Sequence, residues 1–146
     1  MTLLEQLLAD HEEFRRLGRA IEAILRSPDG AQNAAQVEAL VKEFQAKMRR
    51  HAHLEDDTLY PAMRRNMGRS SFLDDLYLRH LDSEHHNIEE QLAKLHEQVS
   101  GRLALGWGQT FAIFSVGLKS HMRREEDELF PEAERLLGNG LSSAGT

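Results

Sequence analysis

"HMRREEDELFP", residues 121–131, and "HAHLEDDTLYP", residues 51–61, are one phrase written twice, seventy residues apart. They agree at His, at Glu four places on, at Asp six places on, at Leu and at the final Pro. On a helix, residues four apart share a face about one turn apart. Each phrase therefore aims an imidazole nitrogen and a carboxylate oxygen at one centre. A half-site written twice asks for a fold that brings the two copies together.

The surrounding sequence supplies that fold. Apolar residues recur at helical spacing in four long segments. The first, about 2–26, carries the stripe Leu4, Leu7, Leu8, His11, Phe14, Leu17, Ile21, Ile24, with Thr2 and Glu5 spaced as a capping box. After the break "SPDGAQN", the second starts near Asn33 and reads Val37, Leu40, Val41, Phe44, Met48, His51, Glu55, Leu59. It is expected to end or kink at Pro61. The third, capped by Ser70 or Ser71, reads Leu78, Leu81, His85, Ile88, Leu92, Leu95, Val99. The fourth reads Phe111, Phe114, Leu118, His121, Glu125, Leu129, with Pro131 near its end. Four helices with short connections predict an all-α protein, an up-down-up-down antiparallel four-helix bundle. Residues 1–137 would form the one domain, and 138–146, "GNGLSSAGT", a frayed tail.

One His interrupts each stripe: His11, His51, His85 and His121. Buried imidazoles need partners, so four of them call for a shared purpose. Counting from loop centres near 30, 67 and 104, the His fall 19 before and 21 after the first, 16 and 18 about the second, 19 and 17 about the third. At about 1.5 Å per residue, antiparallel neighbours put all four at one level. Glu55 and Glu125 complete the ring. Four His and two Glu suit two divalent ions bridged by carboxylates, at roughly 3.5–4 Å from each other. Imidazole and carboxylate without thiolate favour Fe, with Mn or Zn as alternatives.

Composition narrows the function classes. The chain has 146 residues, enough for one core, and no Cys, which excludes disulfides, thiolate metal sites and a Cys nucleophile. A net charge of −6 and a pI near 5.7 speak against a nucleic-acid partner. Mean hydropathy is −0.53, and no apolar run approaches the ~20 residues of a membrane span. The opening "MTLLEQLLADHEEF" carries acids early, unlike a secretory signal, so a cytoplasmic protein is expected.

Together "DHEEF" at His11, "HAHLEDDTLYP" at His51, "EHHNI" at His85 and "HMRREEDELFP" at His121 resemble the hemerythrin-like (HHE) cation-binding family across nearly the whole chain. The resemblance implies a four-helix bundle holding two non-heme irons joined by an oxo or hydroxo bridge. It implies His11, His51, Glu55, His85, His121 and Glu125 as ligands, with Glu55 and Glu125 bridging. Oxygen-carrying members add a fifth His one turn before the third-helix ligand, where this chain has Leu81. That departure shifts the expectation from oxygen storage towards nitric oxide, peroxide or iron handling. Glu84 resembles the acid of an EH pair in iron-repair relatives, but lies about 100° off the ligand face and is expected at most to support a ligand. No His here has Glu three places before it, as a ferritin-type centre requires.

The other His are placed by the same angles. His86, His53 and His80 are expected on the surface, and His96 in the core near the bundle's end rather than at a second site. Tyr60 and Phe130, nine residues after ring His, are expected on the opposite side of their helices as packing residues. No catalytic nucleophile, phosphate loop or separate general base is visible. The leading expectation is a di-iron protein binding oxygen, nitric oxide or peroxide, as a monomer or weak homo-oligomer, with peroxidase- or catalase-like chemistry open to such a centre. Behind it stand an iron or redox sensor acting through a partner, and a Zn-bound or metal-free structural bundle.

Overall fold

The computed structural model describes residues 1–27, 30–68 and 71–138. Within them, helices α1 (Leu3–Arg26), α2 (Ala34–Leu54), α3 (Tyr60–Asn66), α4 (Asp75–Val99), α5 (Trp107–Arg124) and α6 (Phe130–Leu137) account for most of the described residues, with no strand among them. A short 3₁₀ turn, Gly30–Asn33, leads into α2. A π turn, Glu55–Leu59, joins α2 to α3, and a second, Glu125–Leu129, joins α5 to α6. The six helices therefore make four columns. The α1 column packs on α2, α2 on α4, α4 on α5 and α5 on α1, which closes a helical bundle. Among the described residues no helix is long and apolar enough to cross a membrane.

Local chemistry explains the boundaries. Thr2 Oγ1 accepts from Glu5 N at 3.2 Å and Glu5 Oε2 accepts from Thr2 N at 3.1 Å, so the capping box forms. The α4 cap differs from expectation. Asp74 caps it, accepting from Tyr77 N at 2.9 Å. Ser71 instead donates to Glu132 Oε2 at 2.8 Å, tying the connection to α6, while Ser70 and the tail beyond Gly138 lie outside the described residues. Two glycines have conformational work. Gly106 opens α5 at φ 90, where a side chain would be strained, and a Cβ on Gly108 would come within 2.9 Å of Leu25 on α1.

Of the two outcomes expected at Pro61, an end or a kink, the end does not occur, and Pro131 too is followed by further helix. A proline inside an α-helix clashes with the carbonyl four residues back. Here each proline stands just after a π turn, closed by Tyr60 N to Glu55 O and by Phe130 N to Glu125 O. The wider turn relieves that carbonyl, and the helix resumes.

The stripes are nearly as read. All seven stripe residues of α4 are buried, as are the six of the α5 column. Only Leu8 turns outward, 42% exposed, while Leu3 and Asp10 take the inside. The apolar core falls into two clusters. One holds Phe14, Phe44, Ile88 and Phe114; the other holds Leu7, Leu59, Leu81 and Leu129. In every column the buried His stands at the boundary between the two clusters. Phe44 anchors the first, stacked on Phe14 at 5.7 Å and edge-on to Phe114 at 5.0 Å. Phe44→Ala should cost about 3–5 kcal/mol, read as a lower urea midpoint with unchanged slope.

Candidate metal centre

The four stripe His and the two Glu meet in one layer, and all six are buried, Glu55 and Glu125 completely. Helical spacing brings His51 to its own Glu55 at 2.8 Å and His121 to its own Glu125 at 3.5 Å. Packing adds the cross-helix approaches. His11 Nε2 lies 3.0 Å from Glu125 Oε1, and His85 Nε2 lies 3.3 Å from Glu55 Oε1. The donors form two groups, each within 4.8 Å: Glu55, His85, His121 and Glu125 in one, His11, His51 and Glu125 in the other. Glu125 belongs to both.

This donor set fits a cation. Glu55 Oε1, Glu125 Oε2, His121 Nε2 and both nitrogens of His85 are buried without a hydrogen-bond partner among the described residues. Burying such atoms unsatisfied is costly, and a divalent ion would satisfy them together. Nitrogen and carboxylate donors without sulfur suit Fe, Mn or Zn equally in kind.

The outward nitrogens follow a rule of their own. His11 Nδ1 meets Glu126 Oε2 at 2.7 Å, His51 Nδ1 meets Asp10 Oδ2 at 2.9 Å, and His121 Nδ1 meets Glu84 Oε1 at 2.9 Å. His85 Nδ1 has Asp56 Oδ1 at 3.8 Å. A carboxylate behind a ligating imidazole fixes its tautomer and ring orientation and raises its basicity. Each acid is the chain neighbour of a ring residue, yet serves the His of the next column. One step along a helix turns the side chain about 100°, towards the adjacent column. Sequence reasoning saw this only for Glu84. The doublets 10–11, 55–56, 84–85 and 125–126 were the signal for the rest.

Tyr60 and Phe130 also depart from expectation. Nine α-helical residues would carry them opposite the ring, but the π turn advances less per residue and swings both inward. Phe130 stacks on His11 at 5.5 Å and Tyr60 on His85 at 5.9 Å. The Tyr60 hydroxyl donates to Glu55 Oε2 at 3.4 Å, and burial together with the Glu55 and Glu125 charges raises its pKa so that it stays protonated. His53 and His80 are exposed, 68% and 61%, as expected, and exposed His86 bonds the Asp82 carbonyl. His96 is half-buried, far along α4 from the layer.

The charges are mutually dependent. Burial opposes a charged His85, but Glu55 outweighs it and, with Asp56, raises the imidazole to about 10. Burial likewise opposes His121, which Glu125 and then Glu84 raise to about 9. Glu125 is held well below the usual carboxylate range despite its burial, by the imidazoles of His121 and His11 beside it. Burial also opposes a charged Glu84, yet His121 and Arg124 hold it near 2.

A family model described as the hemerythrin HHE cation-binding domain matches residues 2–133. No curated protein and no solved structure matches the chain.

The raised imidazoles set a pH dependence. Their folded pKa exceeds the ordinary value near 6.5, so the stability they contribute is complete below that pH and is lost as pH rises through about 9 to 10. Chelator-treated protein should therefore lose urea resistance from neutral to alkaline pH. A His85→Asn, His121→Asn double variant should show a flatter profile.

Proposed function

The chain belongs to the hemerythrin HHE cation-binding family, and from that premise we propose a non-heme di-iron protein that binds or reacts with oxygen, nitric oxide or peroxide. One observation carries the reading: two buried donor groups that share Glu125. His11 and His51 would hold one ion, His85 and His121 the other, with Glu55 and Glu125 between them. Two irons, when bound, would supply redox chemistry and an exchangeable position for a small ligand.

The chain's own residues favour that position on the His85 side. Leu81 is fully buried and supplies no nitrogen where oxygen carriers have a fifth His. Beside it, in the same cluster, Tyr60 holds a proton on its hydroxyl, 3.4 Å from Glu55. Apolar side chains above and below the layer keep bulk water out. A cavity of about 460 Å³ between α1 and α5, floored by Phe14, Phe111, Phe114 and Met122, reaches Arg15 and Glu126 beside His11.

The same reading takes residues 1–137 as one up-down-up-down antiparallel domain of a cytoplasmic protein. Consecutive columns pack together across short connections, which supports that topology. A second reading, an iron or redox sensor acting through a partner, draws on the complete burial of Glu55 and Glu125. Ion loss would leave two carboxylates to be neutralised by imidazolium alone and would loosen the columns.

Protein expressed in iron-rich medium should carry two irons per chain by elemental analysis and show a near-ultraviolet charge-transfer band when oxidised. Trace metal only would reject the proposal. His121→Ala should lose at least one iron while keeping its helix content; two tightly held irons in that variant would contradict the ligand assignment.

A further inference from the structure

Three of the four outward imidazole nitrogens are closed off in the same way. Glu126 bonds His11 and is itself clamped by both Oε atoms to Arg15 Nη2 at 2.8 Å. Glu84 bonds His121 and is held by Arg124 at 2.6 Å. Asp10 bonds His51 and accepts from Gln6 at 2.9 Å. In each, a carboxylate sits between a ring nitrogen and a second donor.

The fourth is built differently. Asp56 corresponds to Glu126 in the repeated phrase but is one methylene shorter, and its carboxylate stops 3.8 Å from His85 Nδ1. Among the described residues no Arg or Lys clamps it. Where α1 has Arg15 four places after its ring His, α4 has Glu89. Where α1 has Leu8 three places before, α4 has Asp82. Asp56, Asp82 and His85 offer three ligand atoms within 4.8 Å of one another. Asp56 is exposed, Asp82 half-buried and His85 only 3% exposed, so the group runs from solvent to the buried layer. His85 Nδ1 is buried with no hydrogen-bond partner among the described residues and faces this pair of acids. Two carboxylates beside an unsatisfied imidazole nitrogen lack what the other three corners have, a second donor such as Arg15, Arg124 or Gln6.

We propose that Asp56, Asp82 and His85 Nδ1 form a third, outer site for a divalent cation, through which ions pass to the buried pair. Resting on the two-metal reading, it names the route by which that centre fills. The cation replaces the missing Arg as partner to both acids. Oxygen-rich and half exposed, the site holds an ion more weakly than the buried layer, as a staging site requires. The shared imidazole serves one stage at a time: its Nδ1 faces the outer site and its Nε2 faces Glu55 at 3.3 Å, so once an ion rests on Nε2 the ring proton stays on Nδ1 and the outer ion is left to the two acids.

The test uses Co(II), added anaerobically to the chelator-treated full chain, with stoichiometry from equilibrium dialysis and loading followed by visible absorption. The native chain should take up two tightly held ions and a third, weaker one. An Asp56→Asn, Asp82→Asn double variant should keep the two and lose the third. Removing both acids from the entrance should also slow its loading by about tenfold or more. Asp82→Asn alone should lose the third ion too, and serves if the double variant fails to fold. Two ions in both proteins with equal loading rates would overturn the outer site and leave the buried pair standing. No bound Co(II) in any of them would overturn both.

Discussion

Two carboxylates at zero exposure dictate the rest of this molecule. An isolated ionised carboxylate in a helix core is too costly to keep, so Glu55 and Glu125 must be answered by positive charge at contact distance. The raised imidazoles of His51, His85 and His121 provide it, and His11 completes the layer, one ring from each column. The requirement then spreads outward. The imidazoles must stand at one level, which sets the register of the columns. Their outer nitrogens must be bonded, which recruits acids from neighbouring columns. The apolar core must divide in two to leave room for a polar layer. Either protons or cations can balance the layer, and cation binding replaces the protons that hold it together.

The acids behind the imidazoles form a circuit. Asp10 on α1 serves His51 in the next column, Asp56 faces His85, Glu84 serves His121, and Glu126 returns to His11. Each column both presents a ring nitrogen and steadies its neighbour's. Tilting one helix would disturb the orientation of two imidazoles, so the layer couples the columns more tightly than apolar packing alone would.

The helical period made the inner stripe readable, and with it the six central residues and the all-helical fold. What period could not convey was any departure from period. A π turn leaves no hydrophobic signature, and Pro61 and Pro131 looked like terminators because a regular helix would have ended there. Once the turn widens, Tyr60 and Phe130 come round to His85 and His11, which a constant 100° step forbids. The supporting acids escaped for another reason. Asp10 and Glu126 lie off their own helix's inner face, and only the neighbouring column shows that this direction leads to an imidazole. The α4 cap went to Asp74 rather than a serine because Ser71 had a stronger use, closing the loop onto Glu132.

The repeated phrase explains a near-symmetric centre, and its mismatches explain where the symmetry fails. Phe130 and Tyr60 occupy matching places, and each stacks on an imidazole, but only Tyr60 brings a hydroxyl. Glu126 and Asp56 also match, but only Glu126 reaches its His and is clamped by Arg15. Leu81 adds a third difference, an apolar wall in place of a nitrogen. All three fall around His85. The His11 side is therefore the closed half, with its ring bonded on both nitrogens, stacked and charge-neutralised. On the other side both His85 nitrogens lack hydrogen bonds among the described residues, the neighbouring hydroxyl carries a proton, and Asp56 faces solvent. Exchange with the outside, whether of a small ligand or of the cation itself, needs groups whose coordination is incomplete, and this layer confines them to one half.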